Sequence, residues 1–450
     1  MAALTPVRPR ALMIAPAVPG EIGNGLAMRL GLFLEAFARV AEVDLAVLPV
    51  AGAANEPTAL LGRLGITPTM LPCDSPDTHF ALLSRLDDPQ ARLQAFLRYG
   101  RPRLASWVST PVIERLRSLA ATRRYDFVHI GRTYLASAAY PWLASDAVLS
   151  LDLDEDDYQA SLSIARLRRR RGNLQAADWS QADAVAFDRL LGEVTSRFDR
   201  LWISSSIDGQ SVQARHPKAN PIVVPNAVAE TQACPRRDDG ATLIFVASFG
   251  YVPNVDAALW FVRTVWPGLR VRIPQLKLLL VGRDPPASVI DLRRCPGVTV
   301  TGSVPDLGPL YARASLALVP LRAGGGTRIK LLEALAHGVP VVATRIGAAG
   351  IPIAQTGSGW IADDPQQFAL ACLSALQHAS ERRRRGARGR ALVRREYLRS
   401  EVLDRLAGLA AAVSPQCART KATRIARCPR PRRATNKRAG RRSPTCPTVW

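Results

Sequence analysis

Three consecutive glycines, Gly324–Gly326, are followed within a few residues by two cations and a carboxylate. These charged residues are Arg328, Lys330 and Glu333. Glycine permits unusual backbone angles and lets a ligand approach the main chain closely. The segment after the glycines reads as a helix, so its first amide groups and the two cations would attract a phosphate group. The carboxylate further along can accept hydrogen bonds from neighbouring hydroxyls, such as a ribose diol.

The same stretch also has a purely structural interpretation. Thr327 can cap the helix, and Glu333 can form an ordinary surface pair with Arg328 or Lys330. The apolar run "LALVPL" precedes the glycines and predicts a strand. Ligands of parallel sheets bind beyond the carboxyl ends of such strands. The position therefore suits a binding site, but the stretch alone leaves both interpretations open.

Other residues that could perform chemistry give weaker signals. The acidic run "LDLDEDD" at Leu151–Asp157 could bind Mg²⁺ or cap the following helix. No Ser/His/Asp nucleophile motif and no zinc spacing occurs, and the odd, dispersed set of cysteines predicts reduced thiols in a cytoplasm. The cysteines are Cys73, Cys234, Cys295, Cys372, Cys417, Cys428 and Cys446.

The elements that would position these residues alternate between strands and helices. The sequence predicts a strand at "RALMIAPAVPG", a helix at "NGLAMRLGLFLEAFARV" and a second strand at "EVDLAVLPVAG". The same alternation begins again at "ATLIFVASFG". Runs such as "LKLLLVG" and "GVPVVAT" are continuously apolar, which is typical of parallel strands buried on both faces. The sequence therefore predicts an α/β fold with two parallel sheets in series.

The segment "PIVVPNAVAETQACPRRDDG" separates the two series and predicts a domain boundary nearby. We predict a first Rossmann-like domain over residues 1–215 and a second over residues 216–395. A C-terminal helix is predicted at 396–412, and a basic, disordered tail at 413–450. A chain of 450 residues fits two or three domains of ordinary size.

The net charge of +23 is concentrated in a few places. Basic runs occur at Arg166–Gly172 and Arg382–Arg390, and no acidic residue lies between Gln416 and Trp450. Such charge suits nucleic acid, anionic lipid or a phosphorylated small molecule, or it marks solvated faces and a loose tail. Because the tail has a single aromatic residue, Trp450, nucleic acid is not expected as a partner.

Hydrophobicity predicts no membrane-spanning segment. No uninterrupted apolar stretch reaches the roughly 18 residues that a spanning helix needs. The N-terminal "ALMIAPAVPG" is too short and lacks a signal-peptide cleavage pattern. We expect a cytoplasmic protein, with peripheral attachment to the inner face of an anionic membrane as an open alternative.

A wider set of motifs surrounds the glycine run. From about Leu243 to Asp364 they are "FVASFGYVPNVDAALWFV", "LLLVGRDP", "GVTVTGSVPDLGPLYARASLALVPLRAGGGTRIKLLEALAHGVPVVATRIGAAGI" and "IADDP". Weaker ones in the first half are "GNGLAMRLGLFLEAF", "DFVHIGR" and "VVPNAV". In combination they resemble the retaining glycosyltransferases of the GT-B fold known as glycosyltransferase family 4, or group 1.

The resemblance implies two Rossmann-like domains that face each other across a cleft, with the acceptor on the first and a nucleotide-sugar donor on the second. It implies transfer of a sugar to a hydroxyl of a glycan or lipid-linked acceptor with retained anomeric configuration, in polysaccharide or glycoconjugate biosynthesis. In that family a front-side displacement lets the departing diphosphate take the acceptor's proton. No metal and no cofactor are expected.

Residue by residue, the family signature is two glutamates separated by seven residues. Glu333 matches the second, which binds the donor ribose, but the first position holds Gly325. The loop "SFGYVPNVD" also lacks the family's usual diphosphate-binding cations, and we infer from placement that Arg328 and Lys330 supply them. The predicted catalytic residues are Arg328, Lys330 and Glu333. The predicted donor-binding residues are Gly324, Gly325, Gly326, Thr327, Arg283 and Asn254.

On the acceptor side, Gly23, Asn24 and Gly25 match the family's glycine-rich loop. His129 matches the strand histidine that belongs to the core, and the position of the family's sugar-binding histidine is Gly131. Arg132, the next residue, is therefore the predicted cleft residue. The loss of the first glutamate leaves one alternative function open, a non-catalytic nucleotide-sugar-binding protein of the same fold.

Overall fold

Two parallel β-sheets follow one another along the chain. The structure, a computed structural model, describes residues 8–50, 58–231 and 236–412. The strands of the first sheet are β1 (Arg10–Ala15), β2 (Glu42–Val47), β3 (Thr69–Met70), β4 (Phe127–Ile130), β5 (Val148–Asp154), β6 (Arg200–Ile203) and β7 (Pro221–Val223). Their spatial order is β3-β2-β1-β4-β5-β6-β7, and all pairs are parallel.

Helices connect these strands, and α1 shows why they form. Asn24 caps its first turn, and its apolar residues at helical spacing, including Phe33 and Phe37, are buried against the sheet. The helices of this half are α1 (Gly25–Val40), α2 (Ala59–Leu64), α3 (Thr78–Leu83), α4 (Pro89–Tyr99), α5 (Thr110–Thr122), α6 (Asp157–Arg170), α7 (Leu174–Val194) and α8 (Ser206–Arg215).

The second sheet repeats the arrangement with six strands. They are β8 (Thr242–Val246), β9 (Lys277–Val281), β10 (Val298–Gly302), β11 (Leu316–Val319), β12 (Val341–Ala343) and β13 (Gly359–Ile361). The spatial order is β10-β9-β8-β11-β12-β13, and all pairs are parallel. The order reverses between β8 and β11, and in parallel sheets of this kind ligands bind beyond the carboxyl ends of the strands at such a reversal.

The helices of the second half pack against this sheet and complete a continuous core, except the last of them, which packs on the first half. They are α9 (Val252–Trp260), α10 (Trp266–Arg272), α11 (Ala287–Ile290), α12 (Gly308–Arg313), α13 (Ile329–Ala336), α14 (Pro365–Gln377), α15 (Ala379–Glu396) and α16 (Arg399–Ala411). The fold is the two-sheet α/β fold that the sequence predicts.

The apolar segment over residues 255–270 predicts one continuous helix, which the structure interrupts. The segment "VDAALWFVRTVWPGLR" contains a π-helical stretch, Phe261–Val265, between α9 and α10. Pro267 lies in the first turn of α10 and has no amide hydrogen to donate to the preceding turn, so the regular hydrogen-bond ladder ends there.

The boundary between the two halves lies after β7. Leu201 of β6 pairs with Pro221 of β7, so the first sheet extends beyond residue 215, where we predicted the first domain to end. The helix predicted at 396–412 is α16, and it returns to the first half. Arg399 Nη2 donates to Glu35 of α1 at 2.8 Å, and Leu406 is fully buried in the cluster around α1.

Two sequence features fall partly or wholly beyond the described residues. The predicted tail, 413–450, lies outside them, as do Cys234, Cys417, Cys428 and Cys446. The other three cysteines are free thiols: Cys73, Cys295 and Cys372. Within the described ranges, no helix is both long enough and apolar enough to cross a bilayer.

Candidate active site

The glycine turn follows β11 at the point where the strand order of the second sheet reverses. Gly324 and Gly326 have φ angles of 110° and 70°, values that favour glycine. The turn is held from the first half of the chain, because the amide of Gly324 donates to Ser163 Oγ of α6 at 2.8 Å. The predicted phosphate-binding turn therefore lies between the two halves.

Thr327 is held by the first half of the chain. Its amide donates to Ser204 Oγ at 3.3 Å, and its hydroxyl donates to the carbonyl oxygen of Ser204 at 3.1 Å. The hydroxyl is thus engaged beyond the end of β6, and the N-cap position of α13 is occupied by Arg328, without a side-chain capping bond. The structural interpretation in which Thr327 caps the helix is wrong, because a partner from the first half takes the hydroxyl. The donor-binding role predicted for Thr327 stays a prediction.

Arg328 is buried and holds the turn together. Its Nη1 donates to the carbonyl oxygen of Gly325, and its Nε donates to that of Ile346 at 3.3 Å. Its Nη2 is buried and has no hydrogen-bond partner among the described residues. Because a buried charged donor without a partner is costly, this nitrogen marks a place for an anionic or oxygen-rich ligand.

Lys330 lies one turn from the glycines and points at the loop that follows β8. Its Nζ donates to Asn254 Oδ1 at 2.5 Å and lies 5.3 Å from the centroid of the Phe245 ring. Asn254 is itself fixed, since its Nδ2 donates to the carbonyl oxygen of Ser248 at 2.7 Å. Burial and the nearby positive charge of Arg328 lower the pKa of Lys330 to about 7.

Glu333 follows Lys330 by three residues and lies on the same face of α13. Burial raises the pKa of the Glu333 carboxyl to about 7, and the positive charge of Lys330 partly opposes this. Burial thus disfavours the charges of both Lys330 and Glu333, and Arg328 carries a donor without a partner beside them. This combination is typical of a site that gains stability from a polar ligand.

Arg283, the remaining predicted donor-side cation, follows β9 and is half exposed. Its Nε donates to Ser248 Oγ at 3.3 Å, so it approaches the same loop that fixes Asn254. The approach of the two loops requires Gly282, since a Cβ at that position would lie 1.7 Å from the carbonyl oxygen of Ala247. The loops after β8 and β9 are therefore packed directly on each other.

The predicted acceptor-side loop lies opposite the start of α13. Gly23 is exposed with a φ of 119°, and Asn24 Oδ1 accepts a hydrogen bond from the amide of Ala27 at 2.8 Å. A Cβ on Gly25 would lie 3.1 Å from Cδ1 of Ile329. The loop thus faces the helix that carries Lys330, although Asn24 is occupied as a helix cap.

Arg132 is placed at the boundary between the halves but is not an open cleft residue. It is buried, and its guanidinium pairs with carboxylates of the acidic run: Asp154 at 2.8 Å, Glu155 at 3.1 Å and Asp157 at 2.7 Å. His129 is a core residue, as the sequence indicated. It stacks on Phe33, and burial lowers its pKa to about 3.

The rest of the acidic run is also paired with arginines. Asp152 accepts from Arg29 Nε at 2.7 Å, and Asp156 caps α6 while accepting from Arg215 Nη2 at 2.7 Å. These pairs favour the structural interpretation over a Mg²⁺ site. No group of metal-ligating side chains is found within the described ranges.

Several residues of the site carry no signal that sequence reasoning could use. Ser163 contacts Gly324, and Ser204 contacts Thr327 directly after the glycines, each from more than a hundred residues away along the chain. The Tyr251 hydroxyl would lie 3.2 Å from a Cβ placed on Gly324. Glu155 was visible only as a member of the acidic run. These contacts depend on how the two halves meet.

Comparison with known proteins agrees with this architecture. Residues 240–378 match the family model described as Glycosyl transferases group 1. No curated protein sequence matches the chain. The match covers the second sheet and all the charged residues after the glycine turn.

Solved structures match the chain over both halves. Sucrose-phosphate synthase from Thermosynechococcus elongatus has a TM-score of 0.63 at 16% identity, and the match covers 90% of this chain and 99% of that one. HepE from Anabaena, in complex with UDP and glucose, has a TM-score of 0.59 at 12% identity over 90% and 99% of the chains. WaaG, a glycosyltransferase involved in lipopolysaccharide biosynthesis, has a TM-score of 0.56 at 16% identity over 88% and 99%. The chain therefore has the GT-B fold of these structures, and its residues 240–378 are similar to the group 1 glycosyl transferases.

Proposed function

We propose that the protein is a retaining glycosyltransferase, which moves a sugar from a nucleotide-sugar donor to a hydroxyl acceptor. One observation carries the proposal. In a domain that matches the group 1 glycosyl transferases, Arg328, Lys330 and Glu333 lie along the first turns of α13, at the point where the strand order reverses. Two cations and a carboxylate at that place suit a nucleoside diphosphate.

Each residue then has a definite role toward the donor. Glu333 accepts hydrogen bonds from the ribose hydroxyls, and Arg328 and Lys330 bind the diphosphate, with Asn254 orienting Lys330. A bound diphosphate favours the charged form of the Lys330 amine, which burial disfavours in the free protein. Arg283, half exposed on the neighbouring loop, adds a further cation at the rim.

The reaction we propose is a front-side displacement. The acceptor oxygen bonds to the anomeric carbon on the face from which the diphosphate leaves. The carbon–oxygen bond to the diphosphate breaks, and a diphosphate oxygen takes the acceptor's proton. The protein orients the two substrates and stabilises the negative charge that develops on the leaving group. In this proposal Arg328 and Lys330 supply the positive charge, and neither metal nor cofactor takes part.

The first half of the chain is proposed to bind the acceptor, at the loop Gly23–Gly25 that faces α13. A glycan or lipid-linked hydroxyl acceptor, in polysaccharide or glycoconjugate biosynthesis, is the class we propose. We place the protein in the cytoplasm, with peripheral contact to an anionic membrane surface. The basic runs at Arg166–Gly172 and Arg382–Arg390 support that contact.

A donor-hydrolysis screen tests the function. The full chain is incubated with UDP-, GDP- and ADP-hexoses, and release of the nucleoside diphosphate and the anomeric form of the released sugar are followed by NMR. We expect one donor to be cleaved with its anomeric configuration retained. Tight binding of a nucleotide without cleavage, with or without added acceptors, would instead support the non-catalytic binding protein. The HepE complexes with UDP and with UDP-glucose make the uridine donors the first to try.

A further inference from the structure

The glycine turn is met by a carboxylate from the opposite half of the chain. Glu155 follows β5, directly after Asp154, whose φ of 62° is in the left-handed region. A Cβ on Gly325 would lie 2.3 Å from Glu155 Oε2 and 2.8 Å from the Cβ of Ala160. A side chain at position 325 would displace the Glu155 carboxylate and overlap the Cβ of Ala160, so Gly325 leaves room for the carboxylate in this position.

The two oxygens of Glu155 have different environments. Oε1 accepts from Arg132 Nη2 at 3.1 Å, and this contact fixes the direction of the carboxylate. Oε2 accepts no hydrogen bond from any of the described residues, although it lies against the glycine turn. The side chain is about one-fifth exposed, at 21%. One oxygen is thus held in place and the other is left to accept from a ligand.

Other polar groups face the same turn. A Cβ on Gly324 would lie 3.2 Å from the Tyr251 hydroxyl and 3.4 Å from Arg328 Nη1, and the neighbouring Nη2 of Arg328 has no partner. A carboxylate oxygen, a phenol hydroxyl and a guanidinium nitrogen around one glycine turn form a set of acceptors and donors. Such a set suits a molecule with several hydroxyl groups better than it suits a diphosphate alone.

We propose that Glu155 contacts the transferred sugar, and that its Oε2 accepts a hydrogen bond from a sugar hydroxyl of the donor bound on the second half. This inference rests on the proposed function, since it assigns the sugar part of the same donor. The donor site is then complete only when the two halves meet. The ribose and diphosphate are bound at α13 of the second half, and the sugar is bound by the glutamate that follows β5 of the first half. Glu155 thereby discriminates between donors that differ in the orientation of one hydroxyl.

The test compares Glu155→Gln and Glu155→Asp with Asp157→Asn. Asp157 accepts from the same Arg132 nitrogen at 2.7 Å, so its variant disturbs the same guanidinium and leaves Oε2 in place. The probes are UDP with UDP-glucose and UDP-galactose, or the corresponding GDP compounds where the donor screen selects GDP. Affinity for the free diphosphate, kcat/KM for each sugar donor and the thermal midpoint are measured for the full chain.

For Glu155→Gln we expect diphosphate affinity within about twofold of the wild type and kcat/KM at least tenfold lower, since a site built to bond a hydroxyl loses much of its discrimination when that bond is lost. The preference between the two epimeric donors should shrink, and Asp157→Asn should keep it. Glu155→Asp retains the charge and shortens the reach, so it should fold normally and still lose turnover.

Two results overturn the inference and leave the proposed function standing. One is unchanged turnover and epimer preference in both Glu155 variants. The other is an equal loss of affinity for the free diphosphate, which would make Glu155 a structural residue between the halves. Absence of any cleavage by the wild-type chain would overturn the proposed function, and the inference with it.

Discussion

At the scale of single residues, Lys330 and Glu333 carry opposite charges when ionised, and burial moves the pKa values of both side chains to about the same pH. Burial lowers the pKa of the lysine to about 7 and raises that of the glutamate to about 7. In the function that we propose, the diphosphate favours the charged form of Lys330 and the ribose hydroxyls favour the charged form of Glu333. Below pH 7 the ligand must therefore displace a proton from Glu333, and above pH 7 Lys330 must take one up.

We predict that UDP affinity is greatest near pH 7 and falls in both directions. Lys330→Arg keeps a positive charge at all accessible pH values, so it should remove the alkaline decline and leave the acidic one. Calorimetry from mildly acidic to mildly alkaline pH measures both effects. An affinity independent of pH in the wild type would contradict the assignment of these two residues to the nucleotide.

Glu333→Gln tests the ribose contact by itself. We predict that it weakens nucleotide binding by about 1–3 kcal/mol, the scale of a hydrogen bond to a charged acceptor. It should also abolish the acidic decline in affinity. The control is Glu114→Gln on α5, where the carboxylate is exposed and far along the chain from the site. Unchanged affinity in a folded Glu333→Gln variant would remove the glutamate from the site.

The residues of α13 were predictable from sequence because they are neighbours along one helix. Spacing after a glycine run places Arg328, Lys330 and Glu333 together without knowledge of the tertiary structure. The capping interpretation of Thr327 failed for the opposite reason. Its partner Ser204 is 123 residues away, and a local pattern cannot report a contact of that kind. The pairing of Arg132 with the acidic run was missed for the same reason.

At the scale of elements, the loops that carry the site depend on glycines where two loops meet. Gly282 has a φ of 144°, and any Cβ would overlap the carbonyl of Ala247 in the loop after β8. That loop leads into α9, which carries Asn254, and Asn254 orients Lys330. The close approach of the loops after β8 and β9 therefore supports the cation at the site.

We predict that Gly282→Ala destabilises the protein by about 3 kcal/mol or more, because the backbone is strained and the two loops must separate. Gly268→Ala is the matched control. Gly268 lies within α10 with no atom near the added methyl group, so alanine there should be neutral or stabilise by up to about 1 kcal/mol. Urea unfolding measures both. Equal stability of the two variants would show that the loops do not need to pack so closely.

Element order was predictable because continuous apolar runs identify the buried parallel strands, such as β8 and β9. The π-helical stretch Phe261–Val265 was not predicted, since Pro267 was read as part of a regular helix. The boundary at residue 215 was set too early. The strand β7 is three residues long and is defined by its partner β6 rather than by its own composition.

At the scale of the whole molecule, the basic runs that dominate the sequence are partly used inside the fold. Arg382 is buried, pairs with Asp238 at 3.1 Å and donates to the carbonyl oxygen of Ala375 at 2.9 Å. Arg385 stacks on Trp360 at 4.2 Å. Composition alone counts these side chains as free cations, and only the packing of α15 on the second half shows which of them are structural.

The peripheral contact that we propose therefore depends on fewer cations than the sequence suggests. Within the runs Arg166–Gly172 and Arg382–Arg390 the exposed arginines are Arg166, Arg169, Arg170, Arg171, Arg383, Arg384 and Arg388. Two of them, Arg169 and Arg384, form ion pairs with Asp178 and Glu381. The segment from Gln416 to Trp450 adds a basic stretch without an acidic residue. Each cation near an anionic surface contributes about 1 kcal/mol at most, and salt screens the attraction. Removal of that segment should therefore weaken attachment more than neutralisation of the helical arginines.

The measurement is sedimentation with vesicles of phosphatidylserine and phosphatidylcholine, or of phosphatidylcholine alone, at low and high salt. We predict that the full chain sediments with the anionic vesicles at low salt only, and that a chain ending at residue 412 loses most of this binding. The variant Arg170→Gln/Arg171→Gln should lose less, because two of the many positive charges are removed. Equal recovery on anionic and neutral vesicles at low salt would rule out attachment through these charges. The excess charge would then act only in solution, through attraction of anionic donors to the site.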